Sequence, residues 1–195
     1  MAEGINSHVE RAAKIINHMR EFGRKSELNL EPVQVNDVLN KAFDIFSQQL
    51  KLRNIEVVWE LSPYLPRIMA EPNRLEQVFI NLLINARDAI EDRWQGGEAG
   101  PGDKRITLTT KSEQGKVVIT VRDTGTGIPR QIADRIFEPF FTTKQTGKGT
   151  GLGLSISYGI VKDYGGDIRA VSEPGRGACF VMEFPLPEQG RPEDD

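Results

Sequence analysis

Disulfides are the first thing this chain cannot build. Its 195 residues hold one cysteine, Cys179, so no bridge can close within it, and such a chain suits a reducing compartment. Cys179 falls in the alternating run GACFVMEFP and reads as a buried thiol on a strand. An excess of either charge is lacking too. The 25 lysines and arginines against 28 aspartates and glutamates leave a formal net charge of −3, which argues against nucleic acid or an anionic membrane as the main partner. No apolar run approaches the length of a membrane helix, and the N-terminus has no signal-peptide core. No internal repeat is visible. What is there is ordinary: 38% hydrophobic and 27% charged residues, a globular composition with room for one medium domain and an extra element.

Along the chain, Ile5, Val9, Ala12, Ile16 and Met19 are spaced four, three, four, three. This heptad seam predicts a helix that needs a partner, ending near Gly23. The stretch SELNLEPVQV reads as a linker. A second helix is expected from Asn36, as N-cap, to about Leu52. IEVVWEL and RIMAE read as strands, and a third helix should start at Pro72 and run to about Asp92. RITLTTKSEQGKVVITVRD predicts a hairpin turning at Gln114–Gly115. A short helix after Pro129, a helix from Leu152 to Tyr164 and two closing strands follow. Mixed helices and strands with adjacent antiparallel pairs predict an α/β (α+β) two-layer sandwich, a sheet covered by helices on one face.

Three stretches invite chemistry. In GKGTGLGLSIS, four of the first seven residues are glycine, directly before a helix. Such a segment is either a flexible surface loop or an anion site, in which bare N–H groups and a helix N-terminus hold phosphate. In NRLEQVFINLLINARDAIED, the residues Leu75, Phe79, Leu82, Ala86 and Ala89 form an apolar stripe, while Asn81, Asn85 and Asp88 share another. That second stripe is either a solvated face or a set of short oxygen donors for magnesium and its water. Asparagine is a poor helix former where glutamate or lysine would serve. In VRDTGTGIPRQI, Asp123 closes a strand before Gly125 and Gly127. It is either part of a common turn or a desolvated anchor for an exocyclic amine such as adenine offers. Phe137, Phe140 and Phe141 then flank Glu138 and Pro139, as core packing or as the base of a lid.

In order, NLLINARDAI, DTGTGIP, FEPFFTTK and GTGLGLSIS resemble the N, G1, F and G2 boxes of sensor histidine kinases. The resemblance covers about Val33 to Leu186. It implies a Bergerat ATP-binding fold and a protein histidine kinase using ATP and Mg2+. Carried over, Asn85 would be the magnesium ligand. Asn81 would face the phosphates or the metal's water, where gyrase- and Hsp90-type ATPases carry a glutamate base. Asp123 would take the adenine amino group, and Gly125 and Gly127 would allow close approach to the base. Gly149, Gly151 and Gly153 would offer amides to the phosphates, with Lys144 and Lys148 neutralising charge. Asp88, Ala89, Ile128, Phe137, Thr143, Thr150, Leu152 and Leu154 would complete the nucleotide site. Ala178 departs from the family, which often has threonine there.

ERAAKIINHMREFGRKSE resembles the second helix of the dimerisation hairpin, in the nitrogen-regulation branch. Neither His8 nor His18 is directly followed by an acid, as the phosphoacceptor motif requires. The expected division is therefore 1–30 for that helix, 31–187 for the catalytic domain and 188–195 for a frayed tail, with the phosphoacceptor upstream. The implied partners are ATP or ADP, a second copy in the full-length protein and a response-regulator receiver domain. The expected location is cytoplasmic, in a parent that could be membrane-anchored. A non-catalytic nucleotide-sensing module and an ATP hydrolase are the rival readings.

Overall fold

The computed structural model describes residues 28–95, 97, 100, 102–144 and 149–187. The expected N-terminal helix, His8, His18 and the tail lie outside them, as does Lys148.

The chain runs β1 (Glu31–Val33), α1 (Val35–Lys51), β2 (Glu56–Leu61), β3 (Ile68–Ala70), α2 (Pro72–Arg93), β4 (Arg105–Glu113), β5 (Lys116–Asp123), a single 3-10 turn at Arg130–Ile132, α3 (Gly153–Asp163), β6 (Asp167–Ser172) and β7 (Ala178–Pro185). Five strands form a mixed sheet in the order β2-β4-β5-β7-β6. Only the β2–β4 pair is parallel. The β4–β5 hairpin turns through Gln114 and Gly115, both at positive φ, which suits the right-handed twist of the flanking strands.

Alternation on the strands makes two layers. Ile106, Leu108, Ile119, Val121, Phe180 and Met182 point to one side and pack with Leu75, Phe79, Leu82 and Ala86 of α2 in one core. The opposite side of the sheet carries a small cluster of Val118, Cys179 and Val181. Cys179 is thus a buried thiol on a strand, as its alternating run suggests.

Two local expectations need correction. The stretch read as a linker contains β1, which pairs antiparallel with β3 and sets Pro32 opposite Met69. A two-stranded ribbon leaves proline's missing N–H on a free edge. Helix α1 starts one residue before Asn36, with Gln34 at the N-cap and no side-chain cap. Asn36 instead donates to the Ser62 carbonyl and accepts from the Thr110 hydroxyl, joining α1 to β4 and the end of β2.

Candidate functional site

A cavity of about 710 Å³ opens between α2, the turn after β5, the start of α3 and the segments on either side of residues 145–148. Helix α2 supplies one wall. Asn81, Asn85, Asp88 and Asp92, spaced four, three and four, all line it, with Ala89 beside them. That spacing keeps four polar side chains on one face, while the opposite face buries Leu75, Phe79, Leu82 and Ala86.

Asn81 is partly committed to the protein. Its amide nitrogen donates to the Gly153 carbonyl at 3.1 Å and to Ser157 Oγ at 3.3 Å. It therefore ties α2 to the first turn of α3, whose N-terminus borders the cavity. Asn85 stands one turn further on, half-buried on the wall.

Asp123 reaches the cavity from the sheet. It ends β5 on the helix-covered side, opposite Ile106, and is 3% exposed. Its Oδ1 accepts from the backbone N–H of Gly125 at 2.8 Å and of Ala178 at 3.2 Å. Burial pushes its carboxyl up from 3.8 to about 6, against the pull of those two hydrogen bonds. Desolvation disfavours the charged form, and donors to the carboxylate favour it. Asn85 and Asp123 thus face one shared space from different elements.

The glycines have a second reason to be glycine. A Cβ on Gly125 would meet the Ala89 carbonyl carbon at 2.5 Å, and the neighbouring Thr126 N–H donates to that carbonyl. Gly125 is thus pressed against α2 and does not itself line the cavity. Gly127, at φ +72°, lines it but backs onto the Glu173 carbonyl. Ile128 lines the cavity while its N–H donates to Ser172 Oγ.

Thr143, Lys144, Gly149, Thr150, Gly151, Gly153 and Leu154 form the remaining rim among the expected residues. Leu152 is 6% exposed and turns into the core instead. Phe137 also stands behind the wall, its ring 5.5 Å from that of Tyr158. Phe141, by contrast, faces the cavity. Phe140 holds φ +67°, uncommon for a side chain of its size, and its backbone abuts Gly151 at φ +68°. The backbone before residues 145–148 is therefore packed against the backbone after them.

Sequence reasoning missed Arg87, Asp92 and Phe180, which also line the cavity. Asp92 continues the α2 spacing by one turn and could have been found that way. Phe180 needed the strand register. Arg87 looks like any helix arginine in sequence. Among the described residues, no group of three or more His, Cys, Asp or Glu could hold a metal ion. A magnesium ion here would keep several waters and rest chiefly on the ligand's phosphate oxygens, with the Asn85 amide oxygen on the wall as the side-chain donor that the resemblance implies. Also among the described residues, no helix is long and apolar enough to cross a membrane.

Comparison with known proteins gives the family and the fold. A family described as "Histidine kinase-, DNA gyrase B-, and HSP90-like ATPase" matches residues 70–188. The two-component sensor PprA of Pseudomonas aeruginosa is 38% identical over 186 residues, 94% of this chain and 20% of PprA, so the chain spans about a fifth of that relative. The catalytic domain of histidine kinase ThkA matches with a TM-score of 0.68 at 33% identity, over 81% of this chain and 96% of that one. Full-length ShkA in complex with AMPPNP matches with a TM-score of 0.77 at 30% identity, over 95% of this chain and 37% of that one. ThkA in complex with the response regulator TrrA matches with a TM-score of 0.72 at 28% identity, over 96% of this chain and 51% of that one.

Proposed function

Because the chain belongs to the family of histidine kinase-, DNA gyrase B- and HSP90-like ATPases, as the ATP-binding catalytic region of a sensor histidine kinase, we propose that its cavity holds Mg-ATP for phosphoryl transfer to a histidine on a dimerisation helix of the whole protein. The observation that carries this reading is the meeting of Asn85 and Asp123 in one cavity of about 710 Å³. The pocket is apolar toward Ile84, Ile128 and Phe180 and polar at a few points, the usual form of a nucleotide-sized site.

In this reading Asp123, as the carboxylate, accepts the adenine amino group. The amides of Gly149, Gly151 and Gly153 and the N-terminal end of α3 face the phosphates. Lys144 offsets their charge. Asn85 gives an oxygen to magnesium, which when bound would draw charge from the phosphate oxygens. Asn81 fixes the first turn of α3 against α2. It donates through its amide and carries no carboxylate to activate water, which favours a protein acceptor over hydrolysis. The chain's own contribution is position and charge, which phosphoryl transfer chiefly needs. Residues 31–187 are the catalytic unit in this scheme, and a second copy and a receiver-domain aspartate are its partners in the whole protein. Assignment to the nitrogen-regulation branch rested on residues outside those described.

Calorimetric titration tests the scheme. Mg-ATP should bind the wild-type chain and bind more weakly without magnesium. Asn85→Ala should remove the magnesium dependence, and Asp123→Ala should weaken ATP at least tenfold (about 1.4 kcal/mol). Absence of nucleotide binding to the wild-type chain would end the proposal.

A further inference from the structure

Three charged side chains meet on the cavity wall in an arrangement that a solvated stripe does not require. Arg87 Nε and Nη2 both donate to Asp88 Oδ1, at 2.8 and 2.6 Å. Lys144 Nζ donates to Asp88 Oδ2 at 2.6 Å. Each oxygen of one carboxylate is therefore held by a different cation. Arg87 is braced from behind by α1: its Nη1 donates to Gln49 Oε1 at 2.7 Å, and its guanidinium lies 5.1 Å from the Phe46 ring centroid. All three guanidinium nitrogens of Arg87 are thus engaged within the protein. Lys144 is different. Its ammonium carries three protons, and one bond to Asp88 leaves the others for a ligand in the cavity that Lys144 lines.

The three side chains are 18%, 20% and 27% exposed for Arg87, Asp88 and Lys144. Partly buried charges of this kind are screened less than surface pairs. Two cations around one carboxylate leave a net positive charge, so the trio attracts an anion even though an acid stands at its centre. A free lysine has a flexible four-carbon stem and loses rotamer freedom when it engages a ligand. Lys144 is already held before any ligand arrives.

We infer that Asp88 is a positioning residue: it stations the Lys144 ammonium on the wall of α2 so that its remaining protons meet the phosphates of a bound nucleotide, and Arg87, braced by Gln49 and Phe46, fixes Asp88 in turn. This rests on the nucleotide reading above and replaces direct nucleotide contact as the role of Asp88. It also makes the end of α1 part of the phosphate site, through Gln49 and Phe46, without contact to ligand.

Binding of Mg-ATP and of adenosine, which has no phosphate, tests this by calorimetry on the wild-type chain, Asp88→Asn, Lys144→Met and the double variant. Asp88→Asn should weaken Mg-ATP about tenfold and leave adenosine unchanged. Within Lys144→Met, adding Asp88→Asn should cost nothing further, because the residue acts through the lysine. Arg87→Met should repeat the Asp88→Asn pattern more weakly. Tighter Mg-ATP binding by Asp88→Asn would overturn the inference, since the carboxylate would then be withholding the lysine. Equal loss for adenosine, or full additivity in the double variant, would overturn it as well. A wild-type chain that binds neither ligand removes the nucleotide reading and this inference with it. A wild-type chain that binds both leaves the variants to judge the inference alone.

Discussion

Asp123 holds a charge where the surroundings oppose it. Its carboxyl is raised to about 6 by burial, while an unfolded chain would return it to 3.8. The sign follows from linkage: the folded state binds the proton more readily, so stability falls as pH rises from about 4 through 6 and stays lowered above it. A shift of that size corresponds to about 3 kcal/mol at neutral pH. Asp123→Asn should therefore raise the thermal midpoint at pH 7.5, by up to that amount of free energy, and the gain should disappear below pH 4. The same variant should lose adenine-nucleotide affinity, because an amide turned to keep the Gly125 and Ala178 bonds presents a donor to another donor. In the wild-type chain, ATP affinity should drop as pH falls through 6, as the ionised form is lost. A flat affinity between pH 5 and 8 would remove Asp123 as the base anchor.

At the scale of elements, the joint between Phe140 and Gly151 holds the chain after Phe137 against the start of α3. Gly151→Ala adds a methyl group against the Phe140 backbone at a positive φ, a clash and a strained conformation together. We expect it to weaken Mg-ATP binding several-fold while moving the urea midpoint little, because the joint lies at the rim and not in the core. A large loss of stability with intact binding would show the joint to be structural instead. Much of this scale was legible in the chain. Pro72 opened α2, the Gln114–Gly115 pair turned the hairpin, and the spacing of Asn81, Asn85 and Asp88 put them on one face. Other elements were hidden for physical reasons. β1 exists because β3 is there to pair with it, and three residues around a proline carry no strand signal of their own. The start of α1 was misplaced because Asn36 serves a distant partner, Thr110, in place of the helix end. Arg87 could not be singled out because its meaning lies in Gln49 and Phe46, residues distant in sequence.

For the whole molecule, the covering of one sheet face by helices makes α2 serve both core and site. Phe79 is fully buried on its inner side, between the sheet and the helix that carries Asn81, Asn85 and Asp88. Phe79→Ala should cost about 3–5 kcal/mol, seen as a lower urea midpoint at unchanged slope. Val181→Ala, in the small cluster on the opposite side of the sheet, should cost clearly less. Equal losses would mean that the two faces share stability evenly, contrary to the one-sided layering. The layering itself was predictable from mixed elements and alternating strands. The parallel β2–β4 pair was not, because register between distant strands is set by packing that a single sequence does not display.

The two groups that orient Asp123 are main-chain amides, at Gly125 and Ala178. Every amino acid except proline brings that same N–H. Substitution of neighbouring side chains by anything but proline therefore cannot delete either tether chemically, and drift in the surrounding sequence leaves the carboxylate's aim intact so long as the turn after β5 and the start of β7 keep their path.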